Sequence, residues 1–547
     1  MLLRRILPLL LLIALPARAQ EYSDSYPKNT GIDIQGYVFR LAVTDDSDVV
    51  MGRTVVDARY VTGGQTTLRL DLLGKTAERE GKGMEVTAVK MDGRELSFAH
   101  ANDALVIDLG SPVPAGHRIQ VSVEYEGIPA DGMDIGPNTY GDRTFFSDNW
   151  SSRVRGWLPV VDHPYDKATT EMIIIHPAHY QSTSNGVLAE SSDLPNGMRM
   201  THWVNDVPTA PWLYFIGLAR MAVQQVDKFG DVPIETWVYW QDREKGFYDF
   251  AEPSKAVLAF YSDLVGPYVN KRLGNIVSNA TPGGGMEAAS IPAYAASSVS
   301  GNRDMRWQYV IIHEIAHQWF GNAVTEYHWN DVWLSEGFAT YYTLLFREHH
   351  YGHENFMQGL LQSRESVRNF YKDNWDFALV RPYIEDLNDV SGAMMYQKGA
   401  WILHMLRRNL GDEAFNKGIA SYYAEFMNRN AQTGDLRRHL EEASGQDLEQ
   451  FFDQWLFQGG IPQLEASWWK DGDQYRMQIV QTQPDFSYEL DVDVQFRYAD
   501  GSVGEVNTVK VVNDRQTGYA WSADKEIVEM IIDPNTRLLA NWTIEAK

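Results

Sequence analysis

The sequence predicts a multidomain α+β protein with an N-terminal β-domain, a mainly α middle domain and a C-terminal β-sandwich. Three observations carry this expectation. The chain has 547 residues, room for about three or four domains. Apolar and polar residues alternate near both ends, whereas helix signals follow one another between Arg303 and Gly460. Apolar residues make up 44% and charged residues 22%, a globular composition that excludes wholesale disorder.

Residues 1–19 read as a secretory signal peptide. Arg4 and Arg5 precede an apolar run from Ile6 to Leu15, and Ala17-Arg18-Ala19 supplies a small-residue cleavage pattern. The run is too short for a membrane span of about 20 residues, and no later segment qualifies. The expectation is cleavage after Ala19, no integral membrane segment thereafter, and a periplasmic or extracellular location. Residues 20–223 form the β-domain: Leu68, Leu70 and Leu72 alternate with polar residues, as do Ile119, Val121, Val123 and Tyr125, and Asn185-Gly186 offers a hairpin turn. Residues 224–460 turn helical from about residue 250, with Asp412 and Asp447 as caps. After Gly459-Gly460-Ile461-Pro462, residues 461–547 alternate again through Leu490, Val492, Val494, Phe496 and Tyr498. The Asp500-Gly501 turn then leads to Val509 and Val511. With no internal repeat or low-complexity linker, the three blocks are expected to pack on one another.

Composition narrows the chemistry. Lys plus Arg number 48 and Asp plus Glu 73, so the formal charge is 48 − 73 = −25, which repels nucleic acid. The absence of cysteine removes disulfides, thiolate metal sites, cysteine nucleophiles and iron-sulfur clusters together. Any metal must sit on His, Asp or Glu.

The strongest motif is His313-Glu314-Ile315-Ala316-His317, preceded by Trp307, Tyr309, Val310, Ile311 and Ile312 and followed by Gly321 as a C-cap signal. Residues four apart share a helical face, so both imidazoles can reach one ion, while Glu314 is turned by about 100°. A catalytic zinc site usually has three protein ligands. The third is found in Asn330-Asp331-Val332-Trp333-Leu334-Ser335-Glu336, where Asn330 or Asp331 can cap a helix carrying Glu336, with 18 residues separating it from His317. Two histidines and one carboxylate leave a zinc unit near +1, acidic enough to activate water near neutral pH. Glu314 is not spaced as a ligand and reads as the general base. A Gly-rich stretch at Gly283-Gly284-Gly285 lacks the following Gly-Lys-Ser/Thr of a phosphate loop, so nucleotide binding is not expected. His349, His350 and His353 sit in a polar stretch with Arg347 and Glu348 and read as structural or solvated.

With these residues the chain resembles the gluzincin aminopeptidases, the family of aminopeptidase N and leukotriene hydrolase. Gly284-Gly285-Met286-Glu287-Ala288 is similar to that family's exopeptidase motif, and Met395-Tyr396-Gln397-Lys398-Gly399-Ala400 resembles the segment with its catalytic tyrosine. Arg155-Gly156-Trp157-Leu158-Pro159 with Asp162-His163-Pro164, and Ile532-Asp533-Pro534, resemble landmarks of its two β-domains. The resemblance implies a thermolysin-like, mainly α catalytic domain holding one zinc ion per chain on His313, His317 and Glu336. It further implies Tyr396 as the oxyanion donor and Glu287 as the anchor for the free N-terminus of a peptide. Gly284 and Gly285 would receive substrate backbone, and Met286 would line the first side-chain pocket. Ala288 departs from the family's usual Asn, and Asp148 and Asn149 are the candidates for a second amine contact. Relatives often carry a further C-terminal helical domain; the three-domain form expected here has a more open cleft. The alternatives are a zinc endopeptidase on the same fold and a catalytically weak peptide-binding relative. The sequence specifies no oligomeric partner.

Overall fold

The computed structural model describes residues 22–281, 283–387, 392–484, 486–511 and 515–547, so the expected signal peptide lies outside the described residues. The first block is built of strands. Its main sheet runs in the order Val187–Leu194, Met198–Thr209, Ala168–Pro177, Ile32–Ala42, Val50–Tyr60, Arg118–Ile128, Gly83–Met91 and Arg94–Glu95. Neighbours are antiparallel except for Ala168–Pro177 against Ile32–Ala42. The alternation seen in the sequence puts Val121, Val123 and Tyr125 into the core, and Leu68, Leu70 and Leu72 likewise. A second sheet pairs Met133–Pro137, Arg143–Ser147, Ile216–Ala219 and Gln181–Ser184.

Asn185-Gly186 is not a hairpin turn. The strands on either side of it belong to different sheets. The Asn185 side chain is used up as a pin: Nδ2 donates to the carbonyls of Leu213 and Ala289 at 2.8 Å each, and Oδ1 accepts from the Phe215 amide at 2.7 Å. Gly186 follows at φ +76°, where an added Cβ would lie 2.0 Å from the Val204 carbonyl oxygen.

The chain enters the middle block along the strand Met221–Phe229, which spans the expected boundary at residue 223. A five-stranded sheet follows in the order Met221–Phe229, Val232–Tyr239, Leu273–Ser278, Ala293–Ala295 and Gly285–Met286, the last at the edge. The helices are α1 (Arg243–Phe250), α2 (Ser254–Leu264), α3 (Met305–Ala316), α4 (Trp333–Tyr351), α5 (His353–Phe370), α6 (Ala393–Leu410), α7 (Asp412–Phe426), α8 (Thr433–Ser444) and α9 (Glu449–Leu456). Asp447 does not occupy the cap position, which falls to Leu448, but its side chain accepts from the Glu449 amide at 2.9 Å in a turn just ahead of α9. Asp412 instead pairs with Arg407 at 2.8 Å, and Gly411 at φ +82° makes the turn before α7. Neither Asn330 nor Asp331 caps α4. Asn330 Nδ2 donates to the carbonyls of Ser23 and Arg381, and Asp331 accepts from Tyr22 and Thr433, so tertiary partners outbid the helix end.

The last block forms a four-stranded sheet (Gln516–Ser522, Gln474–Gln481, Gln463–Asp471, Asn541–Ala546) and a three-stranded sheet (Val503–Val511, Leu490–Tyr498, Ile527–Ile532). Asp500-Gly501 turns between Leu490–Tyr498 and Val503–Val511, with Gly501 at φ +83°. Phe496 and Trp521 meet edge to face between the two sheets, and Val492, Val494, Val509 and Val511 are buried. This block docks on α5 and α6: Arg364 pairs with Asp533 at 2.9 Å, Arg368 donates to the Ala540 carbonyl, and His404 Nε2 donates to the Thr536 carbonyl at 2.8 Å.

Replacing Gly186 with Ala forces a Cβ into backbone at a φ that L-residues disfavour. The expected cost is about 2 kcal/mol or more, read as a lower melting temperature, whereas Gly197→Ala, with open space around it, costs less.

Candidate active site

α3 carries the site on one face. Asp304 opens it by accepting from the Arg306 amide at 3.0 Å, and Ile311, Ile312 and Ile315 bury the helix on its apolar side. The helix ends at Ala316, before the glycine signal, with His317 at the cap position and a turn leading to Gly321 at φ +107°. That glycine is needed for contact: a Cβ there would lie 2.2 Å from Ser335 Oγ.

The Nε2 atoms of His313 and His317 are 3.1 Å apart, and Glu336 Oε2, from the first turn of α4, lies 3.3 and 3.2 Å from them. His317 Nδ1 is 3.0 Å from the Phe320 carbonyl, which can only accept, so Nδ1 carries the proton and Nε2 offers its lone pair to the cluster. Ser335 Oγ, 3.1 Å from the same Nδ1, steadies the ring. A triangle with edges of this length is what a tetrahedral ion with ligands at about 2.0–2.1 Å requires. Glu336 Oε2 is buried without a hydrogen-bond donor. The donor set fits one zinc ion.

Glu287 and Glu314 crowd the same place, each with a carboxylate oxygen within 4.8 Å of a His317 ring nitrogen. Burial raises the Glu314 carboxyl well above its usual range and raises Glu287 too, each opposed by His317. At Glu336 burial is outweighed by the two imidazoles, which hold it ionised. Burial alone would lower His317, but Glu336 and Glu287 raise it, so the ring must give up its Nε2 proton when a metal takes that lone pair. His313 stays below its ordinary value because of burial. The cluster is rich in carboxyl groups whose ionisation burial opposes, which a cation in their midst would favour.

Tyr396, on α6, donates to Glu336 Oε1 at 2.9 Å and stacks on the His313 ring with centroids 5.9 Å apart. Gly285 lies on the edge strand opposite Tyr294, and a Cβ there would fall 2.3 Å from Glu314 Oε1, so this glycine is the slot that admits Glu314. Gly284 faces open space, and Met286 is buried at the cavity wall. Glu287 Oε1 accepts from Trp212 Nε1 at 3.2 Å, and its backbone carbonyl accepts from Asn322 Nδ2 at 2.7 Å. Ala288 is buried. All the sequence-predicted ligand, base, tyrosine and glycine-motif residues other than Ala288 therefore line one cavity of about 610 Å³.

Of the two β-domain candidates, Asp148 lines this cavity, whereas Asn149 is consumed by the Tyr214 carbonyl and Trp157 Nε1. Sequence reasoning missed Trp212, Ser335 and Arg347. Arg347 had a signal, since it lies 11 residues beyond Glu336 and so on the same face of α4; the contacts of Trp212 and Ser335 are purely tertiary. His349 and His350 stack on Phe260 and Phe346, and His353 pairs with Glu348, so these three do not converge.

Fold and cluster together define a gluzincin-type metal site on a multidomain scaffold with an N-terminal β-rich domain. The chain belongs to peptidase family M1: the Peptidase family M1 domain matches residues 248–455 and the Peptidase M1 N-terminal domain matches residues 75–213. It is 28% identical to glutamyl aminopeptidase of Rattus norvegicus over 59% of this chain and 35% of that protein. It is 28% identical to aminopeptidase N of Lactococcus lactis over 70% of this chain and 48% of that protein. The chain thus spans about a third to a half of the length of these relatives. Among solved structures it shares its fold with the M1 zinc metallopeptidase of Deinococcus radiodurans, with a TM-score of 0.65 and 23% identity over 78% of this chain and 93% of that one.

Purified protein is expected to bind one zinc ion per chain, and His317→Ala to lose it. Ser335→Ala should weaken zinc affinity by about tenfold in a chelator-competition titration, as removal of a ligand's hydrogen-bond partner does.

Proposed function

We propose that the protein is a zinc aminopeptidase that removes single residues from the free N-termini of peptides. The observation that carries this reading is the place of Glu287: a buried carboxylate within 4.8 Å of the metal-site histidine, at the end of an edge strand that opens onto the cavity. A carboxylate there pairs with the α-ammonium of a substrate and sets the scissile bond one residue away. Membership of family M1 and the names of the aminopeptidase relatives support it.

Bound by His313, His317 and Glu336, a zinc ion supplies Lewis-acid polarisation of the scissile carbonyl and acidifies water. The rest is done by side chains of the chain itself. Glu314, held in the slot left by Gly285, takes the proton of the attacking water as the new C–O bond forms, then hands it to the leaving amine so that the peptide C–N bond breaks as the adduct collapses. Tyr396 donates its phenol hydrogen to the developing oxyanion without adding charge. Gly284 and Gly285 let substrate backbone pair along the edge strand, and Met286 shapes the wall beside the first side chain. Asp148 is the second acid available to the amine, and Ala288 offers it no hydrogen bond.

Around this centre, residues 20–223, 224–460 and 461–547 are read as three domains, the last a β-sandwich. The pattern of residues 1–19 supports export to the periplasm or medium. Among the described residues no helix is long and apolar enough to cross a membrane.

Tyr396→Phe should lower kcat by about a hundredfold, the worth of about 3 kcal/mol of oxyanion stabilisation, with zinc content unchanged. Full activity in that variant would remove the assignment. Free peptides and aminoacyl arylamides should be cleaved while N-acetylated peptides are not, and Glu287→Ala should raise KM for the free substrates and narrow that difference. Equal cleavage of blocked and free peptides would mark an endopeptidase instead.

A further inference from the structure

The far end of the cavity is basic. Arg347, 8% exposed, lines it with its guanidinium carbon 4.0 Å from the centroid of the Tyr309 ring. Nε and Nη2 donate to the side-chain and backbone oxygens of Asn355 at 2.6 and 2.8 Å. Among the described residues its partners are Asn355 and the Tyr309 ring and no carboxylate pairs with it, although an Arg in this position costs free energy unless an anion answers it. Arg153, another cation at the cavity wall, is already paired with Asp131 at 2.7 Å. Close to Arg347, Gly359 leaves room for Nη1, which a Cβ would approach to 2.5 Å. Ser363 Oγ, on the same wall, is buried without a hydrogen-bond partner among the described residues.

α3 serves as a ruler between the two ends. Glu287 lies beside His317, Gly285 beside Glu314, and Arg347 beside Tyr309, so the acid and the guanidinium flank the metal site on opposite sides. Eight residues from 309 to 317 at about 1.5 Å each give a separation of about 12 Å along the axis. Three or four residues of extended peptide, at about 3.4 Å each, cover that length.

We propose that Arg347 receives the terminal carboxylate of a short substrate, making the protein selective for free tri- and tetrapeptides held at both charged ends. This deepens the aminopeptidase reading above and rests on Glu287 taking the amine. A bidentate guanidinium–carboxylate contact also explains why the Arg347 fork is pre-set by Asn355 and Tyr309 instead of by an internal acid.

The test uses zinc-loaded Glu314→Gln protein, which holds substrate without turning it over, and calorimetric titration with tri-alanine, its C-terminal amide, and Ala-Ala-Asp amide. The acid should bind about ten- to a hundredfold tighter than the amide, the worth of charge-assisted hydrogen bonds. This preference should peak at three or four residues across a series of two to six. Arg347→Met should abolish the preference and Arg347→Lys should keep part of it, which separates a lost contact from a lost fold. Equal binding of tri-alanine and its amide overturns the proposal without any variant. Ala-Ala-Asp amide binding as tightly as tri-alanine overturns it too, by moving the recognised carboxylate to a side chain. If wild-type protein cleaves tri-alanine but acid and amide bind alike, the inference about Arg347 fails and the aminopeptidase reading stands. If the acid preference is present but no peptide is cleaved, the reverse holds.

Discussion

Burial of like charge is the constraint around which this molecule is organised. Glu287, Glu314 and Glu336 are each at most 5% exposed; all three sit within reach of the His317 imidazole, and Glu336 also of His313. Ionised, with both rings neutral, the five side chains carry −3; a divalent ion brings the sum to −1 and a substrate ammonium brings it to 0. Taking a carboxylate out of water costs several kcal/mol, so a cluster of this kind is tolerable when cations of matching position complete it. Under the proposed function, the balance that accommodates a zinc ion is also what a substrate amino terminus would complete.

The surrounding fold turns that electrostatic demand into geometry. α3 presents Tyr309, His313, Glu314 and His317 along one side, and the edge strand Gly285–Met286 runs close enough for Glu314 to fill the space a side chain would need. The β-domain reaches in through Trp212, which donates to Glu287, and through Asn185, which ties the carbonyl of Ala289 to its own strands. Trp150 and Trp212 pack on Trp329, just ahead of α4, so the tryptophan that donates to Glu287 is braced against the entry to the helix that carries Glu336. On the other side Arg364 and Arg368 fasten α5 to the C-terminal block, which fixes the wall that carries Ser363 and faces Arg347.

The parts of this arrangement that could be read from the chain are those set by local spacing. His313 and His317 share a face because they are four residues apart, and strand alternation placed Val121, Val123, Val492 and Val494 in cores. Glu336 followed from the chemistry of an incomplete ligand set, while Tyr396 and Glu287 needed the family resemblance, because nothing local distinguishes them. What spacing does not contain is competition. Asn330 and Asp331 look like caps yet find tertiary partners, Asp412 pairs with Arg407 across the Gly411 turn, and Asn185-Gly186 has the composition of a hairpin while serving as a crossing between sheets. The contact between Gly285 and Glu314 joins residues 29 apart through a sheet edge and a helix, and no pattern in the sequence reports it.

X-ray absorption at the zinc edge of the purified protein reports on whether His313, His317 and Glu336 hold the ion. About one zinc per chain is expected, with nitrogen and oxygen neighbours at about 2.0–2.1 Å and multiple scattering from two imidazoles. Substoichiometric metal, or a shell with one or three imidazoles, would contradict that ligation.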